Sequence, residues 1–445
     1  MSFPRYPAYK DSGVEWLGEV PAHWETCQSR RMFAVRSEPA LASDRMLTAS
    51  QKHGVLYQAD YVAREGRKVV EVIMGIASLK HVEPDDFIIS MRSFQGGIEW
   101  CKLPGSTSFH YVMLTPVKNV HPPYFAHLFK STRYIQALRT TTDLIRDGQE
   151  LRFSNFSQVT LPRVPMEEQA AIATFLDRET AKIDALVAEQ ETLMALLKEK
   201  RQAVISHAVT KGLDTKALTK DSGVEWLGKV PAHWTTPALY MRYSSDLGKM
   251  LDTSKIKGQQ LVPYLRNTDV QWDSINFVDL PEMDISELEY SRYTVQAGDL
   301  LICEGGEVGR AAIVSEISRT VGYQKALHRM RALPRTNENV KFMYFTFLWA
   351  TSSGVFTLNG SSTIPHLTGE QLRKYRFPKP PHAEQTAIVA FLERETSMLD
   401  ELLSEARTAI TLLQERRTAL ISAAVTGQID VRNVIVTSTA EAATA

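Results

Sequence analysis

Cysteine is scarce in this sequence of 445 residues, and its three copies, Cys27, Cys101 and Cys303, stand far apart. An odd number of cysteines without a Cys-x-x-Cys pair argues against a disulfide framework and a zinc knuckle, and it fits a reducing compartment. We therefore interpret all three as buried thiols.

Long apolar runs and net charge are also missing. The apolar stretches are short and broken by charged residues, and the opening "MSFPRYPAYK" has no apolar core like that of a signal peptide. We expect a soluble, cytoplasmic protein with two or three domains. Lys and Arg (51) balance Asp and Glu (51), which neither indicates nor excludes a polyanionic partner, because local patches decide such binding.

Motifs for catalysis are absent as well. "EGGEVGR", from Glu304 to Arg310, lacks the Lys and the Ser or Thr that a phosphate-binding loop requires. "HPPYF", from His121 to Phe125, has His where amino-methyltransferases place Asn or Asp. The 11 histidines include no His-x-x-x-His or Glu-x-x-His pair that would indicate a metal site. We therefore predict a chain that is not an enzyme and binds no metal or cofactor itself.

Two repeats dominate what the sequence does contain. "KDSGVEWLGEVPAHW" begins at Lys10 and "KDSGVEWLGKVPAHW" at Lys220, so the two copies differ at one position only. A second pair begins at Leu161, "LPRVPMEEQAAIATFLDRET", and at Phe377, "FPKPPHAEQTAIVAFLERET". The segments between the repeats, 25–160 and 235–376, share no comparable run of identity. The chain therefore consists of a repeated frame around two different segments.

The second repeat predicts long helices. Each copy opens with prolines, runs for about forty residues without Pro or Gly, and stops at Gly212 or Gly427. Apolar residues at alternating steps of three and four predict a coiled-coil seam, although two surface helices packed on their own domains would also fit. The predicted seam residues are Ile172, Leu176, Ile183, Leu186, Leu193, Leu197 and Val204, and Ile388, Leu392, Leu399, Leu402, Leu413 and Leu420.

Charged residues on the predicted seam indicate the direction of pairing. In an antiparallel pair Glu179 would face Arg416 and Lys200 would face Glu395, whereas a parallel pair would bring like charges together. We therefore expect antiparallel helices related by a pseudo-twofold axis.

The two variable segments are predicted to be α/β domains. "VEPDDFIISMRSFQGG" (Val82 to Gly97) and "VQAGDLLICEGGEVGR" (Val295 to Arg310) each place an acidic residue, an apolar strand and a Gly-containing polar loop in succession. Arg and Gln bind purine edges and Glu accepts from a cytosine amino group, so these loops are candidates for reading bases, although polar loops after strands are common. The candidate DNA-binding residues are Arg92, Ser93, Gln95, Arg146, Arg152, Glu304, Glu307, Arg310, Lys325 and Arg373.

These motifs closely resemble the specificity (S) subunit of type I restriction-modification enzymes, over a range from about Tyr9 to Gly427. The resemblance implies an α+β fold with two α/β target-recognition domains separated by two long antiparallel coiled-coil helices. Each domain would read one half of a bipartite site in double-stranded DNA, and the helices would set the gap. Two methyltransferase (M) subunits, which would carry S-adenosylmethionine, would dock on the frame, and restriction (R) subunits would join them.

The corresponding domains are 1–160 for the first repeat element and recognition domain, 161–212 for the first spacer helix, 213–376 for the second element and domain, 377–427 for the second spacer helix, and 428–445 for the tail. Trp16, Trp24, Trp226 and Trp234 are candidates for contact with M, although local packing explains them equally well. The alternative function is a coiled-coil adaptor that presents two protein-binding domains without nucleic acid.

Overall fold

The structure is a computed structural model, and it describes residues 3–66, 79–90, 93–141, 151–251, 258–357 and 366–434. The chain divides into two compact units. Unit 1 comprises Met1–Gln190 together with Arg407–Ala445, and unit 2 comprises Glu191–Ala406. Each unit therefore contains one of the two variable segments and part of each long helix.

The α-helices in these ranges are α1 (Gln58–Glu65), α2 (Ser93–Gly96), α3 (Pro122–Lys130), α4 (Thr132–Thr140), α5 (Phe153–Gln158), α6 (Met166–Lys211), α7 (Tyr290–Tyr293), α8 (Val340–Ser352), α9 (Gly369–Lys374) and α10 (His382–Val425). The strands of unit 1 are β1 (Tyr9–Asp11), β2 (Glu19–Pro21), β3 (Glu25–Gln28), β4 (Phe33–Arg36), β5 (Leu47–Ser50), β6 (Gly54–Tyr57), β7 (Lys80–Val82), β8 (Phe87–Ile89), β9 (Glu99–Trp100), β10 (Gly105–Thr107), β11 (Val112–Pro116) and β12 (Thr160–Arg163). The strands of unit 2 are β13 (Thr219–Asp221), β14 (Lys229–Pro231), β15 (Tyr243–Leu247), β16 (Leu261–Leu265), β17 (Val270–Gln271), β18 (Ser274–Ile275), β19 (Glu282–Asp284), β20 (Leu300–Cys303), β21 (Ala311–Ile313), β22 (Gly322–Tyr323) and β23 (Leu327–Ala332).

The variable segment of unit 1 is built on an antiparallel sheet with the order β4-β11-β8-β9. Helix α3 begins with two prolines, whose fixed φ suits the first turn, and its apolar face packs on this sheet. The core is rich in edge-to-face aromatic contacts among Phe33, Phe87, Phe125, Phe129 and Phe156. The aromatic stretch before the first long helix is therefore core.

The variable segment of unit 2 contains an antiparallel sheet with the order β15-β23-β20-β21 and a smaller mixed sheet with the order β19-β16-β22. Helix α8 is buried over most of its length and packs its aromatic side chains into the core of this unit. Both variable segments are mixtures of helix and strand, as the sequence predicted.

The first repeat forms a β-hairpin in each unit, β1–β2 and β13–β14, with the same register. The Asp11 carboxylate accepts a hydrogen bond from the backbone N–H of Gly13, whose φ of 65° suits glycine, and Asp221 does the same for Gly223. The Asp-Ser-Gly sequence of the repeat therefore forms a turn in each unit.

The two long helices run antiparallel within each unit. In unit 1, Asp184 of α6 contacts Arg417 of α10 at 3.1 Å, while Ile172, earlier in α6, lies in one core cluster with Leu420, later in α10. In unit 2, Arg201 contacts Asp400 at 3.0 Å, and Leu197 packs with Leu399 and Leu403. With 46 residues, α6 extends over about 69 Å at a rise of 1.5 Å per residue.

The predicted charge pairs on the seam are wrong, although the predicted direction holds. Glu179 is bound by Arg178 and Lys182 of its own helix, and Glu395 is bound by Arg394. Where the structure describes both helices, the ion pairs between them are Asp184–Arg417 and Arg201–Asp400. Asp184 and Arg417 meet at exposed positions, where the charges keep their water, whereas Arg201 is half-buried beside the exposed Asp400.

The predicted seam also needs correction near its middle. Leu186, Leu193 and Leu402 are 44%, 43% and 41% exposed, whereas the neighbouring Leu403 and the later Ala406 are buried. A straight helix turns about 20° too far in each heptad, so the buried stripe moves to the next position along the chain. The exposed leucines therefore lie on helix surface outside the buried seam.

Candidate functional site

The second repeat begins each long helix with Glu-Gln, and the glutamine anchors the helix to its variable segment. In unit 1, Gln169 Oε1 accepts from the backbone N–H of His121 at 2.8 Å, and its Nε2 donates to the carbonyl of Val164 at 2.8 Å. In unit 2, Gln385 accepts from the N–H of Asn339 at 2.9 Å. Both glutamines are fully buried, so these hydrogen bonds hold the start of each long helix against the entry to α3 or α8.

The preceding glutamate joins the helix to the first repeat. Glu168 Oε2 accepts from Trp24 Nε1 at 2.9 Å and from the Tyr6 hydroxyl at 3.2 Å, and its Oε1 lies 2.5 Å from His23 Nε2. Arg432 adds positive charge at 3.6 Å. Burial and then the Glu168 charge raise the pKa of Tyr6, so the hydroxyl keeps its proton and remains a donor.

The corresponding residues of unit 2 make fewer contacts. Glu384 Oε2 lies 2.8 Å from His233 Nε2, but Trp234 Nε1 is buried and has no acceptor among the residues with described positions. The repeated "HW" and "EQ" thus form one frame contact in each unit, with a fuller hydrogen-bond network in unit 1.

This frame decides where the four tryptophans can act. Trp24 and Trp234 are 0% exposed, so they pack locally and offer no surface to a partner. Trp16 is half-buried, and its Nε1 donates to the carbonyl of Thr160 at 3.0 Å. Trp226 is half-buried against Trp349 and lines a surface cavity of about 340 Å³. Only Trp16 and Trp226 remain candidates for direct contact with a partner.

In the first recognition loop, the candidate residues differ in how exposed their side chains are. Ser93 is fully buried, and its Oγ accepts from the N–H of Ser90 at 2.8 Å, so it braces the loop. Gln95 is exposed on α2. Gly97 has a φ of 83°, and a Cβ there would lie 2.2 Å from the carbonyl oxygen of Phe129, so the close approach requires glycine. Arg92 lies outside the described residues.

The next two basic candidates of unit 1 lie in the segment before α5. Arg146 falls outside the described residues. Arg152 is exposed at the N-terminus of α5, where its backbone N–H donates to Asn155 Oδ1 at 3.1 Å. The structure therefore leaves Gln95 and Arg152 as the exposed candidates of this unit, and it shows no contact between them.

In unit 2, the loop between β20 and β21 brings three candidates together. Glu304 is half-buried, and its backbone pairs with the carbonyl of Ala326 and the N–H of Leu367. Arg310 is only 15% exposed in its side chain, and its guanidinium donates to the carbonyl of Asn267 at 2.9 Å. Arg310 therefore braces the loop, whereas Glu307 is exposed.

Asn267 and Trp272 hold this loop from outside it, and sequence reasoning missed both. Asn267 Nδ2 donates to the carbonyl of Gly305 at 2.9 Å, and Trp272 Nε1 donates to Glu307 Oε1 at 2.8 Å. No pattern in the sequence singles out either residue. Their segment is otherwise distinguished only by the polar, turn-forming residues around Asp273.

Two further basic candidates are exposed in unit 2. Lys325 precedes Ala326, whose carbonyl accepts from Glu304 N–H, so its backbone adjoins the β20–β21 loop. Arg373 lies on α9 in the last turn. The candidates that the structure brings together are therefore Glu304, Glu307, Arg310 and Lys325.

The acidic residue before each central strand has a structural role. Asp86 is 1% exposed and binds Arg36 at 2.6 Å, and Asp299 is 1% exposed and binds Arg331 at 2.7 Å. The hydrogen bond to the aspartate is the main cause that raises the pKa of each of these arginines. Each pair ties the turn before β8 or β20 to another strand of the same sheet, which is β4, beyond β11, in unit 1 and the adjacent β23 in unit 2.

Within the described ranges, no group of three His, Cys, Asp or Glu side chains is placed to hold a metal ion. No helix in those ranges combines the length and apolar character needed to cross a membrane.

Comparisons with known proteins give a consistent picture. Residues 245–412 match the family model described as the type I restriction modification DNA specificity domain. The chain is 24% identical over 367 residues to the type I restriction enzyme EcoKI specificity subunit of Escherichia coli (strain K12), covering 78% of this chain and 75% of that protein. It is 23% identical over 363 residues to the StySPI specificity subunit of Salmonella potsdam, with the same coverage.

Solved structures resemble the fold. A chain from a type I R-M system, solved to explain complex assembly and conformational transition, gives a TM-score of 0.65 at 15% identity and covers 91% of this chain and 98% of its own. The HsdS subunit from Thermoanaerobacter tengcongensis gives a TM-score of 0.57 at 14% identity, covering 92% and 98%.

Proposed function

We propose that this chain, like the specificity subunits of type I restriction enzymes that it resembles, selects the DNA sequence on which a type I restriction-modification complex acts. The chain supplies recognition, and chemistry belongs to its partner subunits. The observation that carries the proposal is the repeated frame. The same hairpin and the same Glu-Gln helix start occur in both units, while the recognition loops they support differ.

Each recognition domain reads one half of an asymmetric, bipartite site. In unit 2 the exposed Glu307 and Lys325 supply one acceptor and one phosphate-binding cation, and in unit 1 Gln95 and Arg152 supply the corresponding polar contacts. Because the two sets of side chains differ, the two half-sites differ.

The frame holds the methyltransferase subunits, and identical copies of M require two similar surfaces. We place one such surface on each unit: in unit 1 it includes Trp16 and the exposed Leu186 and Leu412, and in unit 2 it includes Trp226 and the exposed Leu193, Leu196, Met398 and Leu402. Clusters of exposed apolar side chains mark interaction surfaces. M carries S-adenosylmethionine, and R subunits complete the complex.

The test is to purify the chain with its M subunit and select binders from a random duplex library. We expect enrichment of a gapped motif, which methylation mapping in cells would reproduce. A coiled-coil adaptor without nucleic acid predicts no enrichment at any salt concentration. That alternative is not favoured, because the matching family model is a DNA specificity domain.

The long helices set the gap between the half-sites. Inserting four residues after Ala188 adds about 6 Å of rise and roughly one turn of helix, so we expect a longer gap with both half-sites unchanged. Methylation mapping measures both quantities. Altered half-site bases with an unchanged gap would show that the helices are not the spacer.

A further inference from the structure

The side chain of Glu307 is held so that one carboxylate oxygen is engaged and the other is available. Glu307 lies in the β20–β21 loop, 48% exposed, and its Oε1 accepts from Trp272 Nε1 at 2.8 Å. The nearest cation recorded for Oε2 is Arg310 NH1 at 3.7 Å, which is beyond hydrogen-bond distance.

Trp272 is itself fixed in place. It lies in the two-residue turn between β17 and β18, and its ring contacts Tyr344 of α8 edge-on, with centroids 6.2 Å apart. The loop that carries Glu307 is held by Asn267, which donates to the Gly305 carbonyl. Both ends of the Trp272–Glu307 hydrogen bond therefore belong to braced turns, and the carboxylate has a defined direction.

An ionised carboxylate only accepts hydrogen bonds, so its partner must present a donor. In the major groove, the exocyclic amino groups of cytosine and adenine are the donors, but adenine places the N7 acceptor beside its amino group, where it would repel the second oxygen. Cytosine has C5–H on one side of its N4 amino group, so the O6 of the paired guanine is the one acceptor beside it, whereas the adenine amino group lies between two acceptors.

We propose that Glu307, aimed by Trp272, reads the N4 amino group of a cytosine in the half-site recognised by unit 2. This inference rests on the proposed function and names one base of its target. Trp272 is the positioning residue, since it acts on the base only through the carboxylate.

The decisive variant is Glu307→Gln. The indole N–H of Trp272 requires an acceptor, so the glutamine oxygen should face Trp272 and the amide NH₂ should face the DNA. An outward donor favours guanine O6 or thymine O4. Library selection with the S–M complex should therefore show one position of one half-site changing from cytosine to guanine or thymine, with the other half-site unchanged.

Two further variants distinguish the orientation of Glu307 by Trp272 from a general effect on folding. Trp272→Phe removes the donor but keeps the ring, and we expect it to weaken the cytosine preference by about tenfold, within the range measured for single base contacts. Glu282→Gln changes an exposed glutamate on β19 of the same unit and should leave the selected motif unchanged. Because Glu307 and Glu282 are exposed, thermal melts of their two variants should match those of the wild type, and a melt of Trp272→Phe, whose ring packs on Tyr344, checks that its weaker preference does not come from unfolding.

Three results would overturn the inference. The first is a gapped motif that Glu307→Gln leaves unaltered, and the second is a change in both half-sites. The third is weaker association with M at an unchanged base preference, which would assign Glu307 to a protein contact. If the wild-type complex selected no sequence at all, the proposed function would fail, and the inference would fail with it.

Discussion

The strongest test of the frame compares two glutamates at equivalent places in the repeat. Glu168 accepts hydrogen bonds from Trp24 and Tyr6, whereas Glu384 is more exposed and, among the residues whose positions are described, pairs with His233 alone. Glu168→Ala leaves two buried donors without an acceptor, and each such donor costs about 1–3 kcal/mol, so we expect a loss of about 2–6 kcal/mol. Glu384→Ala breaks one partly exposed contact and should cost about 1 kcal/mol or less.

Chemical denaturation of the two variants, followed by tryptophan fluorescence and circular dichroism, measures both losses. Trp24→Phe and Trp234→Phe form a second matched pair. The first removes a hydrogen bond to Glu168, whereas the second removes an indole N–H that has no acceptor in the described part of unit 2. Equal losses within either pair, or a larger loss in unit 2, would refute the assignment of the stronger network to unit 1.

Two further predictions concern charge. Reversing the charge of Asp184 or of Arg417 alone should lower stability, and reversing both should recover it. In a double-mutant cycle we expect a coupling energy of about 0.2–1 kcal/mol for this exposed pair. Zero coupling would contradict the observed register. His81 contacts Asp44 and Glu83, each at 2.8 Å, and although burial lowers the pKa of His81, these two hydrogen bonds raise it on balance. The contribution of His81 to stability is therefore complete below its unfolded-state pKa and is lost as the pH rises through the higher folded-state pKa. Thermal melts between pH 5 and 9 should show this loss of stability with rising pH in the wild type and a smaller loss in His81→Gln.

The long helices were predictable from sequence because their boundaries depend on local chemistry. Prolines before Met166 and His382 and glycines at 212 and 427 bracket α6 and α10 to within two residues of the observed ends. Proline cannot extend a helix backward, and glycine with positive φ ends it, as Gly212 and Gly427 do. These effects require no knowledge of the tertiary structure.

The seam was harder to predict because the helices carry exposed leucines as well as buried ones. Leu186 and Leu402 satisfy a heptad count as well as the buried Leu403 does. Which leucine is buried depends on how the helix rotates against its neighbour, and the heptad count ignores the drift of a straight helix. In the proposed function, the exposed leucines belong to the surfaces that M covers.

Identical repeats also concealed different surroundings. The contacts of Glu168 include Tyr6 and Arg432, which lie outside both repeats near the ends of the chain. In unit 1 these ends meet, since the N–H of Asp430 donates to the carbonyl of Pro4 at 2.8 Å. An alignment of the two copies therefore identified the frame correctly but could not show that one copy is reinforced by terminal residues.

The recognition loops mark the limit of inference from sequence. Aligning Asp86 with Asp299 located both strand-loop scaffolds, because each aspartate anchors a turn through an arginine on another strand of the same sheet. The direction of Glu307, however, depends on Trp272, which lies 35 residues earlier in the chain and in a different turn. The preferred base therefore depends on the loop together with the turn that orients its side chain. A comparison of the two loop sequences identifies candidate base-contacting residues, but it does not identify the base that each contacts.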